Sequence, residues 1–160
     1  MATATLGNRP PAWLSLLPFL AAVAAVAILG GLAASSSGET YRALDLPPFA
    51  PPSWLFGPVW TVLYVMIAVA GWRAWRDGAG AAALALWGVQ LALNLAWTPL
   101  FFAADRYGWA LVDIVALLVA IAATVAVFRR TSALAAWLMV PYAVWAAFAT
   151  TLNAAIVVLN

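Results

Sequence analysis

The chain has 160 residues, 68% of them hydrophobic and 8% charged, with a net charge of +2 and a mean hydropathy of +1.03. A soluble domain carries roughly 25% charged residues, so a water-facing surface is excluded and the chain reads as an all-α integral membrane protein. Its basic residues are seven dispersed arginines, no footprint for nucleic acid. It has no cysteine and no histidine, which excludes disulfides, thiolate nucleophiles, histidine bases, most metal sites and the usual haem ligand.

Five apolar runs follow in order, predicting a bundle of five transmembrane helices in a single domain spanning 1–160. The first, about 12–34, follows Arg9 as a signal peptide would, but exceeds the 7–15 residues of a signal core. It matches the roughly 20 residues of a retained span. The others lie near 54–75, 80–102, 108–128 and 133–158, with short connections apart from the first, about 35–53. That loop is too long for a hairpin and is a candidate functional element. One side of the bundle receives Arg9, Arg73, Arg76, Arg129 and Arg130, and the other only Arg42 and Arg106. This asymmetry predicts a cytoplasmic N-terminus and an outward-facing first loop and C-terminus.

The loop and the start of the second span, "LPPFAPPSWLFGPVWTVLY", carry Pro47, Pro48, Pro51, Pro52 and Pro58. Proline locks its own φ and restricts its predecessor. The four loop prolines therefore predict a stiff, extended cover holding Phe49 and Trp54, with Pro58 tolerated in the first turns of the helix. The second span then offers Gly57, Trp60, Thr61 and Tyr64.

In the third span, Gln90, Asn94, Trp97 and Phe101 recur at steps of four, three and four, which return to one helical face. Ala81, Ala85, Gly88, Ala92 and Ala96 form a small-residue row opposite, suited to close backbone approach across a homodimer seam. Asp113, in the fourth span, is the acid clearly inside a span. Its depth allows it to reach the interface or to pair with Arg106. The fifth span places Tyr142, Trp145, Ala149 and Asn153 on one face. Trp13, Trp72, Trp75 and Trp109 suit an interfacial belt, whereas Trp60 and Trp97 have polar neighbours and face inward. Structural hydrogen bonding between helices would explain Gln90 and Asn94 alone. It does not explain three helices that each present Trp beside Tyr or Asn.

"YRALDLPPFAPPSWLFGPVWTVLY", "QLALNLAWTPLFF" and "VPYAVWAAFATTLN" together resemble the TspO/MBR family of tryptophan-rich sensory and translocator proteins, over about residues 12–160. The resemblance implies a five-helix bundle, usually dimeric. It implies binding of porphyrins and of isoquinoline- or benzodiazepine-type ligands in a pocket under the first loop. By motif the pocket residues are Tyr41, Pro47, Phe49, Pro51, Pro52, Trp60, Asn94, Trp97, Tyr142, Trp145 and Ala149. The helical faces add Tyr64, Gln90 and Asn153, with Arg42 as partner for a propionate at the rim. The family often has Trp where Thr40 and Phe49 stand and a basic residue where Leu46 stands. Nothing basic follows Tyr142, so the sterol-recognition stretch of the animal members has no counterpart here.

Such a site suits a flat, conjugated, anionic macrocycle as ligand, with aromatic walls on its faces and Asn94 or an indole N–H at its polar edges. No cofactor is required. The resemblance also implies a rival activity, light- and oxygen-dependent porphyrin breakdown, with Trp60 and Trp145 as the catalytic residues. No acid–base pair supports conventional turnover. A membrane scaffold without a small ligand is the remaining class.

Overall fold

A computed structural model describes residues 12–35 and 37–160. Arg9, used above to orient the chain, lies outside the described residues, as does Ser36. A 3-10 turn, Ala12–Leu16, leads into α1, Leu17–Ala33. There follow α2 (Ser37–Ala43), α3 (Phe56–Arg76), α4 (Ala81–Phe102), α5 (Tyr107–Phe128) and α6 (Ala133–Leu159). A second 3-10 turn, Ser53–Leu55, abuts α3. The five long helices are each apolar and long enough to cross a membrane, and no strand occurs among the described residues.

The span boundaries fall within about two residues of the expected ones, but the first connection differs. Residues 37–43 form a helix within the connection that the sequence predicts as a loop. Its first turn holds Glu39 and its last turn Arg42, each beside the helix end of opposite partial charge. The buried Tyr41 ties the helix inward. The extended part is confined to the proline-rich stretch, where Pro52 has φ −63° and ψ 143°.

The long helices form a closed ring, α1–α3–α6–α5–α4 and back to α1. Alternating direction puts Arg73 and Arg76, at the end of α3, and Arg129 and Arg130, after α5, at one end of the bundle. The first loop, α2 and the end of α6 share the other. Large apolar side chains such as Leu32, Val62, Val119 and Val144 point outward, which in a membrane is contact with lipid rather than a defect. The small-residue row of α4 also lies outside: Ala81, Ala85 and Ala92 are exposed, while Gly88 and Ala96 are partly so.

At the arginine end the packing is close. Ala68, Ala70, Ala74 and Ala135 are fully buried, and Trp87 donates its indole N–H to the Ile67 carbonyl at 3.1 Å. That indole lies against the backbone of Gly71, where an added Cβ would sit 2.6 Å from the ring. Hydrocarbon offers no hydrophobic force between helices, so such close backbone approach holds the end together.

Candidate functional site

The loop end encloses a cavity of about 450 Å³. Small residues open the space: Ala27, Gly30, Gly31 and Ala34 on α1, Gly57 on α3, and Ala146 and Ala149 on α6. Large aromatic residues wall it: Trp60 and Tyr64 on α3, Trp97 and Phe101 on α4, and Trp145 on α6. Tyr41 on α2 and Trp54 of the second 3-10 turn border it at the loop side. Among the described residues no charged side chain lines it.

Two polar pairings brace the walls. Tyr64 Oη donates to Asn94 Oδ1 at 3.0 Å, and Asn94 Nδ2 donates to Tyr142 Oη at 3.0 Å. One buried amide thereby joins α3, α4 and α6. Nearer the loop, Trp97 Nε1 donates to Asn153 Oδ1 at 3.1 Å, and Asn153 Nδ2 donates to the Tyr107 carbonyl at 3.0 Å. In a membrane interior an unpaired polar group is costly, so these amides stand where helices can satisfy them.

The indoles divide accordingly. Trp97 has its N–H committed to Asn153, so it is not the indole free to serve as an edge donor. The indole N–H groups of Trp60 and Trp145 make no hydrogen bond among the described residues. Trp60 packs on Tyr64 and Tyr142 at 5.3 and 6.0 Å, and Trp145 on Phe56 and Phe148 at 5.9 and 5.5 Å. The aromatic neighbours fix both rings while two donors remain unspent.

Of the expected site residues, Tyr41, Trp60, Tyr64, Asn94, Trp97, Trp145, Ala149 and Asn153 border the cavity. Tyr142 does not: it is fully buried behind Asn94, which it positions. Gln90 lies outside the lining too. It is fully buried on its own helix, donating to the Trp87 carbonyl at 2.8 Å, with Oε1 unpartnered. Pro47, Phe49, Pro51 and Pro52 stand in the cover rather than the wall. Phe49 rests edge-on against Phe148 at 6.4 Å, and Pro51 accepts the Tyr41 hydroxyl at 3.0 Å. Burial raises the Tyr41 pKa above the ordinary tyrosine value, so that hydroxyl stays a donor through neutral pH. Arg42 is exposed beside the rim, its Nε donating at 2.7 Å to the carbonyl of the cavity-lining Gly38. Asp113 makes no ion pair with Arg106. Among the described residues the ion pair present joins Arg73 and Asp77 at 3.4 Å, and Asp113 Oδ2 is buried without a partner.

The sequence reading missed the contribution of α1 and α5. Gly30-Gly31, inside an otherwise bulky apolar run, was the available signal. Ile114 and Leu117 of α5 carried none, being ordinary span residues.

Residues 19–159 match the profile of the TspO/MBR family. The chain is 38% identical over 149 residues to the translocator protein of Homo sapiens, covering 89% of this chain and 88% of that one. It is 38% identical over 150 residues to the tryptophan-rich protein TspO of Archaeoglobus fulgidus, covering 92% and 97%. To the tryptophan-rich sensory protein of Cereibacter sphaeroides it is 40% identical over 142 residues, covering 88% of each. The aromatic cavity ringed by five membrane-spanning helices is thus set in a chain that belongs to the TspO/MBR family.

Proposed function

We propose that this membrane protein binds porphyrins of the protoporphyrin type in the loop-end cavity and acts on them as a sensor or transporter. The observation that carries the reading is the cavity itself: about 450 Å³, walled by Trp60, Trp97, Trp145 and Tyr64 and, among the described residues, free of charged side chains. That volume falls in the usual range for small-molecule sites, which are mostly apolar with a few placed polar groups. Flat aromatic walls suit a conjugated macrocycle, and the unspent indole N–H groups suit its pyrrole nitrogens or carboxylate edges. The exposed Arg42 at the rim suits a propionate. Isoquinoline- and benzodiazepine-type ligands, also aromatic and largely apolar, would occupy the same walls.

The test is titration of the detergent-purified protein with free-base protoporphyrin in darkness, followed by tryptophan fluorescence. Saturable quenching with a micromolar Kd is expected. A folded sample without saturable quenching overturns the reading.

A second reading has its own observation. Trp60 and Trp145, which the family resemblance implies for light-driven porphyrin breakdown, both border this cavity. There dioxygen would be the oxidant and the porphyrin the reductant, with the indoles relaying electrons. Illuminating the titrated sample and analysing products separates this activity from binding alone.

The same proposal includes a homodimer through the outward row Ala81, Ala85, Gly88, Ala92 and Ala96, where a Cβ added at Gly88 would meet no described atom within 4 Å beyond its own helix. It also sets the arginine end in the cytoplasm, supported by Arg73, Arg76, Arg129 and Arg130 sharing that end.

A further inference from the structure

The segment from Leu44 to Pro52 backs the cavity from outside. Leu44, Leu46 and Ala50 pack on a cluster containing Tyr41, Phe101, Leu152 and Ile156, four residues that line the cavity on their other side. Whatever lifts this segment loosens the wall that separates the cavity from the membrane surface.

Its hydrogen-bonded attachments are few. Internally, the Ala50 N–H donates to the Pro47 carbonyl at 2.9 Å and the Leu55 N–H to the Pro52 carbonyl at 3.0 Å. Tyr41 holds Pro51 from α2. The attachment to α6 is a two-way pairing with one side chain: the Asp45 N–H donates to Asn160 Oδ1 at 3.1 Å, and Asn160 Nδ2 donates to the Asp45 carbonyl at 3.2 Å. Asn160 Nδ2 also lies 3.1 Å from the Ile156 carbonyl, which fixes the amide against its own helix.

We infer that the Asn160–Asp45 pairing is a latch on the cavity cover, and that its release sets how fast a ligand exchanges. A carboxamide carries one acceptor and a pair of donors on a rigid plane, so it can satisfy both backbone groups of a single residue. An aspartate at 160 would offer acceptors alone and a leucine neither. The Asp45 carboxylate takes no part, since the pairing uses its backbone. Both bonds are solvent-exposed, so water competes for them and each is worth little net. Weak, exposed bonds over an apolar seat give a cover that opens locally and reseats, which is how low-stability segments serve binding sites. The prolines on either side of Phe49 keep the segment stiff, so it lifts as a unit.

The opening can be read without any ligand, whereas the exchange rate rests on the porphyrin reading. Hydrogen–deuterium exchange on the full chain in lipid nanodiscs is the first measurement. Asn160→Ala and Asn160→Asp should each raise exchange about tenfold at the Ala50 and Leu55 amides, as loss of a few net-weak bonds allows. The Asp45 amide rises as well in Asn160→Ala, and α3 to α6 stay at parental rates in both variants. Asp45→Asn should match the parent. Faster exchange at Asp45 alone would mean a frayed contact rather than a latch and overturns the inference. An Asp45→Asn effect equal to that of Asn160→Ala would assign the hold to the carboxylate and overturns it too. The second measurement is stopped-flow mixing with protoporphyrin, where association and dissociation should both accelerate in Asn160→Ala while Kd stays nearly constant. A slower association with a weaker Kd overturns the gating role. A parent that binds no protoporphyrin sinks the proposed function, and the exchange data still decide the latch.

Discussion

The two ends of the bundle use glycine for opposite purposes. At the arginine end Gly71 lets the Trp87 indole reach the α3 backbone, and an added Cβ would meet the ring at 2.6 and 2.9 Å. At the loop end a Cβ on Gly31 or Gly57 would meet nothing within 4 Å, and one on Gly30 would meet only the Thr98 hydroxyl at 3.6 Å. Close packing at one end contrasts with the cavity held open at the other. Tryptophan divides in the same way. Trp87 is a buried strut with its N–H committed to the Ile67 carbonyl, while Trp60 and Trp145 are cavity walls with theirs uncommitted.

The comparison breaks first at Gly71. Gly71→Ala should destabilise the fold by about 1–3 kcal/mol through overpacking, because the indole is pinned by its hydrogen bond and by Phe19. A thermal melt in detergent checks it, and a parental melting temperature would show that the close contact is not needed. Next is Asn94→Ala, which strands the Tyr64 and Tyr142 hydroxyls. Interhelical bonds in membranes average about 0.6 kcal/mol, so losing two should cost about 1–2 kcal/mol and weaken porphyrin binding. A double-mutant cycle with Tyr64→Phe should recover part of that loss.

Trp60→Phe and Trp145→Phe sharpen the contrast between wall and strut. Both should keep the melting temperature and most of the binding, since an aromatic face remains, while slowing any light-driven loss of porphyrin. Degradation at the parental rate in both variants would remove the indoles from that chemistry. Gly88→Leu combined with Ala92→Leu tests the outward face of α4. A folded monomer that still binds porphyrin supports the proposed seam, and an intact dimer moves it elsewhere. The smallest effect is expected from Gly57→Ala. With open space around it and helix propensity in its favour, it should be neutral or stabilising by up to about 1 kcal/mol. A loss as large as that of Gly71→Ala would erase the distinction between the two ends.

The sequence by itself determined the solvent, the number of spans and their limits, because a run of about 20 apolar residues has one inexpensive way to satisfy its backbone in hydrocarbon. It also determined which polar and aromatic side chains share a face, since the steps linking Asn94, Trp97 and Phe101, or Trp145, Ala149 and Asn153, are set by helical geometry. Only the tertiary structure decided which residues on those faces border the cavity. Gln90 and Tyr142 lie on the expected faces yet are sealed behind the wall, because depth along a ring of five helices depends on the register between them. Periodicity does not encode that register. The commitment of the Trp97 N–H to Asn153, and of Asn160 to Asp45 across 115 positions, depended on the same register. The short α2 was hidden for a different reason: seven residues are too few for a periodic signal, and its stability comes from seating Tyr41 against Phe56.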